Sequence, residues 1–171
     1  MIEIVNEHLL DTEANFIVNQ VSCADSMGKG HIGQVAEQYP HIVNEHLKYI
    51  RYCKKNKIDP NGTVQYIPNE IWALVMVDTM KNDNVIDYDK NYQYLVNMFC
   101  QGGTADDGHI DLKAMKKALV DVRDKAQKIG AKVAIPYRIG CHKGGANWDD
   151  IYTIIKKVFE KSDVNVEILK F

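Results

Sequence analysis

The stretch Ala134-Ile135-Pro136-Tyr137-Arg138-Ile139-Gly140-Cys141-His142-Lys143-Gly144-Gly145-Ala146-Asn147-Trp148 decides how the chain is read. It leaves a short apolar run over residues 132–136, which predicts a strand, and passes three glycines. It then enters a segment in which Trp148, Ile151, Ile154, Ile155, Val158 and Phe159 recur at helical spacing. In an open α/β sheet, ligands bind beyond the carboxyl ends of strands, so a glycine-bearing strand-to-helix loop stands where phosphates are held. Its amides are expected to form an anion nest. Three hydrogen bonds to a charged group at ~1.5–3 kcal/mol each reach micromolar-range binding after association costs. Asp149 and Asp150 complement the dipole at the start of the helix.

Outward from this loop the same alternation continues. Leu112, Met115, Leu119, Val122, Ala126 and Ile129 predict a helix that Gly130 stops, and residues 164–169 predict a closing strand. Toward the start of the chain, residues 2–5 and 16–21 read as strands and 42–57 as a helix. Residues 63–67, 71–77 and 92–99 read as three more strands. Repeated βα alternation predicts a mixed, largely parallel sheet flanked by helices on both faces, in one domain over residues 1–171.

Composition narrows the function classes. A hydrophobic fraction of 46% and a charged fraction of 26% are those of a soluble globular protein, and a formal net charge of -2 offers no basic field for duplex nucleic acid. No apolar run approaches the ~18 residues that span a bilayer, so a cytoplasmic protein without a membrane partner is expected. Cys23, Cys53, Cys100 and Cys141 form no Cys-x-x-Cys pair and read as free thiols. His41, His46 and His109 share no metal-ligand spacing, so neither a metal nor a cofactor is expected.

A second segment carries chemistry. Val21-Ser22-Cys23-Ala24-Asp25-Ser26-Met27-Gly28-Lys29-Gly30-His31 runs from a strand end through a Gly-x-Gly turn into a helix reaching toward Tyr39. Glycines let amides approach a ligand, and the following helix N-terminus favours an anion, though the same turn also serves as a plain connection. His31 is the leading general acid or base, because imidazole titrates near neutral pH, and Asp25 is the next. Gln101-Gly102-Gly103 supplies glycine hinges for a loop that folds over a nucleotide. Asp106-Asp107-Gly108 reads as an exposed turn. Tyr88, Tyr92 and Tyr94 read as sheet-packing residues and Trp148 as core.

Taken together these strings resemble the macrodomain family. Val18-Asn19-Gln20-Val21-Ser22 stands ahead of Met27-Gly28-Lys29-Gly30, and Ile135-Pro136-Tyr137-Arg138-Ile139-Gly140-Cys141 ahead of Gly144-Gly145-Ala146-Asn147-Trp148, in macrodomain order. Gly62-Thr63-Val64-Gln65-Tyr66 and Asn97-Met98-Phe99-Cys100-Gln101 extend the resemblance nearly end to end. It is nearest to bacterial and phage macrodomains that process ADP-ribose 1''-phosphate, and to the branch of the terminal ADP-ribose protein glycohydrolase and the DNA ADP-ribosyl glycohydrolase antitoxins. The resemblance implies a three-layer macrodomain fold and ADP-ribose, or an ADP-ribosylated substrate, as partner. It implies that His8, Leu9 and Leu10 contact adenine, that Asn19 and Ser22 lie by the ligand, and that Met27, Gly28, Lys29 and Gly30 wrap the distal ribose. It places Ile139, Gly140, Cys141, His142, Lys143, Gly144, Gly145, Ala146 and Asn147 around the diphosphate, and Pro136 and Arg138 among the ligand-binding residues.

Departures from the family pattern divide the functional expectations. Glu7-His8 replaces Gly-Asp or Gly-Asn, Gly30-His31-Ile32 replaces Gly-Ile-Ala, and Gln101 and Gly144 stand at the positions matching the lysine and aspartate of the glycohydrolase branch. A lysyl mechanism is thereby excluded. One expectation is an enzyme that removes the phosphate of ADP-ribose 1''-phosphate or cleaves an ADP-ribosyl bond by substrate-assisted attack of water. The second is a non-catalytic reader of ADP-ribosylated targets or of a nucleotide signal, and the third a retained fold with a changed ligand.

Overall fold

The computed structural model describes residues 1–24, 31–69, 91–103, 108–142 and 144–171. Its elements, numbered among these residues, are β1 (Ile2–Val5), β2 (Phe16–Ser22), α1 (His31–Gln38), α2 (His41–Asn56), β3 (Val64–Pro68), β4 (Tyr94–Gln101), α3 (Leu112–Ile129), β5 (Val133–Pro136), α4 (Trp148–Phe159) and β6 (Val166–Leu169). Among the described residues the strands form one six-stranded sheet in the order β1-β6-β5-β2-β4-β3. All neighbours are parallel except β3, which runs antiparallel to β4. The expected strand over residues 71–77, and Tyr88, lie outside the described residues.

β2 reads as a nearly continuous apolar run because both of its faces are covered. Phe16 and Val18 join Met115, Leu119, Ile151 and Ile155 under α3 and α4. Ile17 packs with Val35 of α1 and Ile42 of α2, and Val21 with Ile50 of α2. Three layers result, with helices on both faces of the sheet.

Element boundaries shift by one or two residues from the sequence expectation, each for a local reason. β3 starts at Val64 because the Thr63 amide is taken up in a turn by Pro60 O at 2.9 Å. Its Pro68 is tolerated because β3 is an edge strand. β4 starts after Gln93, whose side-chain amide donates to Thr12 O and Ala14 O at 2.9 Å each and ties the starts of β2 and β4 together. Tyr94 packs edge-on against Phe16, as a sheet residue should. Gly130 stops α3 in the left-handed conformation at φ 70°. Cys23, Cys53, Cys100 and Cys141 are all free thiols. His41 bonds Pro68 O at 2.9 Å through Nε2 and His46 stacks on Phe99, so both serve the fold.

The start of α3 carries a measurable electrostatic contribution. The Asp111 carboxylate accepts the amides of Lys113 at 2.9 Å and Ala114 at 3.0 Å, and the Asn61 side-chain amide at 2.9 Å. These donors, that of Ala114 first, hold its carboxyl below the ordinary carboxylate range. A depressed folded-state value means the contribution is complete above the unfolded value and is lost as pH falls through the folded one. Asp111→Ala should cost about 1 kcal/mol at neutral pH. The melting-temperature gap between the two proteins should narrow on acidification below the carboxylate range; a gap that is constant with pH would refute the assignment.

Candidate functional site

Parallel β5, β2 and β4 end at one edge of the sheet, and antiparallel β3 begins there. The segments after β2, β4 and β5 therefore crowd together at that edge. The turn after β1 lies beyond β6 at the same edge.

The loop after β5 is a run of tight turns. Ile139 N–H donates to Pro136 O at 3.1 Å, Cys141 N–H to Arg138 O at 3.0 Å and Ala146 N–H to Gly140 O at 3.4 Å, closing successive tight turns. Arg138, Gly140 and Gly145 have φ values of 59°, 74° and 66°. Left-handed residues of this kind occur in turns that can present successive N–H groups to an anion. Among the described residues, the amides of Gly140, His142, Gly144 and Gly145 donate to no acceptor. Arg138 and His142 are exposed on the loop, Ile139 is buried in the core, and Lys143 lies outside the described residues. Asn147 caps α4, its Oδ1 accepting Asp149 N–H at 2.8 Å, with Asp149 and Asp150 in the first turn.

Gly144 is required for a reason different from Gly145. A Cβ at Gly144 would meet Gly140 O at 2.6 Å and Ile110 Cδ1 at 2.9 Å, with Ile110 Cγ1 closer still. A Cβ at Gly145 would meet nothing within 4 Å, and there the constraint is the positive φ. Ile110, absent from the sequence expectation, also donates its amide to Gly144 O at 3.2 Å. No periodicity or motif marks it in the sequence.

The exit of β2 is stitched to the exit of β4. The Ser22 hydroxyl donates to Gly103 O at 2.9 Å and accepts Ala24 N–H at 2.9 Å. Cys23 N–H donates to Gln101 O at 2.9 Å, and the Gln20 side-chain amide to Gln101 Oε1 at 2.6 Å. Ser22 thus closes the loop junction, and Gln101 is a buried strand-end residue. Asn19 is also buried, in register with Asn97 in the middle of the sheet. His31 opens α1; Asp25, Met27, Gly28, Lys29 and Gly30 lie outside the described residues, as do Asp106 and Asp107.

In the turn after β1, Leu10 N–H donates to His8 Nδ1 at 3.3 Å and Asp11 N–H to His8 O at 3.0 Å. The His8 ring lies 4.9 Å from that of Phe171. Leu9 is buried in the core beside Ile17 and Leu169, whereas Leu10 is half-buried.

The thiols at this edge are held protonated. Burial, then the Asp59 carboxylate, pushes Cys23 up to about 11. Burial raises Cys141, with Arg138 opposing. Neither is poised as a nucleophile near neutral pH.

No family model matches the chain, and no curated protein does so either. Solved structures do. The macrodomain of Mycobacterium tuberculosis DarG is 21% identical, with a TM-score of 0.73, over 100% of this chain and 98% of that one. The macrodomain of Thermus aquaticus DarG is 18% identical, with a TM-score of 0.72, over 100% and 99%. Thermosipho africanus DarTG, solved in complex with ADP-ribose, is 18% identical with a TM-score of 0.73, over 98% of this chain and 41% of that one. The six-stranded mixed sheet, its order and its flanking helices are those of the macrodomain fold.

Proposed function

We propose that the chain binds ADP-ribose or a derivative at the carboxyl edge of its sheet, the diphosphate seated in the nest of residues 138–147. The observation that carries this reading is the set of loop amides, from Gly140, His142, Gly144 and Gly145, that no described acceptor takes up. Gly144 is buried and Gly140 half-buried, where an amide without a partner is costly, whereas His142 and Gly145 are exposed and open to an incoming anion; an anion that accepts these amides recovers that cost. Strand spacing of ~4.8 Å places the turn after β1 about 10 Å from the nest, with β6 between them. That separation suits a nucleoside with its base near His8 and its diphosphate at the nest. The ADP-ribose held by the Thermosipho africanus neighbour supports the same ligand class.

A second step, hydrolysis of the bound derivative, is favoured by one observation: His31 opens α1 directly after the loop that follows β2. The substrates of this reading are ADP-ribose 1''-phosphate or an ADP-ribosyl bond, with water as nucleophile and His31, aided by Asp25, as proton carrier. Ser22 is committed to Gly103 and Ala24, and the thiols are protonated. A protein that binds without turnover is the alternative, reading ADP-ribosylated targets or sequestering a nucleotide.

Calorimetric titration should give the order ADP-ribose, then ADP, then AMP. No heat with ADP-ribose or ADP would overturn the reading. Gly144→Ala should abolish binding because backbone oxygen stands in the way of the new methyl group. Gly145→Ala, which strains the backbone by ~1–2 kcal/mol without a clash, should weaken it about tenfold. Equal losses in the two variants would show that the nest geometry is misassigned.

His31→Ala should lose turnover of ADP-ribose 1''-phosphate while keeping ADP-ribose affinity within a few fold, and the wild-type rate should change between about pH 6 and 7. Unchanged turnover in the variant removes His31 from the mechanism. Absence of turnover in both proteins establishes the binder.

A further inference from the structure

The stretch that returns from β4 to α3 reaches the nest from outside. Gly102 N–H donates to His109 O at 3.1 Å, and Gln101 and Ile110 form an antiparallel bridge. Asp111 N–H donates to Cys100 O at 2.8 Å while its carboxylate caps α3. Ile110 is thus fixed on both sides, to the end of β4 and to the start of α3. From this mount its amide donates to Gly144 O, and its side chain fills the space beneath Gly144 and Gly140. A Cβ on Gly140 would already meet Ile110 Cγ1 at 3.2 Å.

We propose that Ile110 is a positioning residue for the anion site: a β-branched strut that holds the Gly140 and Gly144 turns in the curvature that makes their amides converge. The proposal rests on the reading of residues 138–147 as a diphosphate nest. Two contacts give it mechanical sense. The amide bond to Gly144 O fixes which way that peptide plane faces, and so which way the next amide, that of Gly145, points. The side chain blocks collapse of the loop onto α3. Branching at Cβ leaves the side chain few rotamers, so the support is stiff. The ligand itself needs no contact with Ile110, and the residue's influence on affinity comes entirely through the loop backbone.

The same excursion is fastened at its other end, where the Ser22 hydroxyl donates to Gly103 O. Both loops expected to face the ligand are thereby braced by the segment following β4. Ile110 is the brace on the phosphate side.

The test uses the full chain with ADP as probe. Ile110→Ala should bind ADP about tenfold more weakly or worse, since a site held about 1 Å too loosely loses most of its convergent hydrogen bonds. Ile110→Val, which keeps the branch and the backbone bond, should stay within about threefold of wild type. Ile110→Leu keeps volume but moves the branch outward by one carbon, and should weaken ADP binding several-fold with the fold intact. Val122→Ala, a truncation of a buried β-branched residue in the same core, should lower the melting temperature without weakening ADP binding. Wild-type affinity in both Ile110→Ala and Ile110→Leu would overturn the proposal, as would an equal loss in Val122→Ala. A wild-type protein that fails to bind ADP would instead overturn the nest reading on which the strut depends.

Discussion

Parallel pairing of β2 with β5 on one side and β4 on the other is the constraint from which the site follows. Strands set ~4.8 Å apart deliver their exits side by side, so three loops that are distant in sequence share one edge. β2 cannot slip in register, because a one-residue shift would exchange Phe16 and Val18 with Ile17 and Asn19 between the two covered faces. The register does change once, between Val21 and Ser22, where Phe99 and Gln101 are the successive partners. That offset brings Ser22 beside the Gln101 end of β4, from which its hydroxyl reaches Gly103. A local irregularity at the edge thus joins the loops where they leave the sheet.

Polar side chains inside the α2 face give the pairing its second anchor. Gln65, Asn97 and Asn19 occupy register positions on β3, β4 and β2, between the apolar cluster of Ile17, Leu95 and Ile67 and that of Val21 and Phe99. Gln65 donates to Glu45 O of α2 at 2.8 Å and accepts from Asn97 at 3.4 Å. A slipped strand would push an amide into either apolar cluster, at about 1–3 kcal/mol for each group left unpaired. Among the described residues, Asn19 Nδ2 and Asn97 Oδ1 find no hydrogen-bond partner, a donor and an acceptor on register partners. Asn19 therefore bears on strand alignment more directly than on the ligand edge, three residues farther along β2.

The layers were legible because burial writes its own periodicity. The α3 stripe from Leu112 to Ile129 and the α4 stripe from Trp148 to Phe159 are the faces that meet the sheet, and the fully covered strands appear as short apolar runs. The loop after β5 was legible as a strand-to-helix connection, since its glycines stand between a short apolar run and a helical stripe. Its internal division was not. In sequence Gly144 and Gly145 are equivalent neighbours, but one is needed for space and the other for a positive φ. Arg138 at φ 59° gives no sign of its left-handed backbone, because loop closure imposes it on a residue with no such preference. Ile110 was silent because Gly140 and Gly144, the loop residues it supports, lie thirty and thirty-four residues away in sequence and meet it only once the sheet has formed. In the turn after β1 the sequence did not reveal that Leu9 fills the core or that His8 Nδ1 accepts an amide of its own turn, since both follow from how the turn packs.

Charge across the edge completes the argument. At the β5 end the loop offers amides that no acceptor among the described residues takes up, on the same loop as the exposed Arg138; at the β2 and β3 end, Asp59 and Asp111 stand close enough to raise the Cys23 thiol further. The proposed anionic ligand would be attracted to the first and repelled from the second, which would set its direction along the sheet edge. The same carboxylates, which add to the effect of burial on Cys23, disfavour phosphate at the β2 and β3 end. Phosphates at β5 leave the remainder of a nucleotide two ways to extend: across β6 toward His8, or across β2 toward His31. A ligand with a group at both ends of its diphosphate uses both directions at once. Those two directions are the physical ground on which the proposed ligand, ADP-ribose, is preferred to a simple nucleotide.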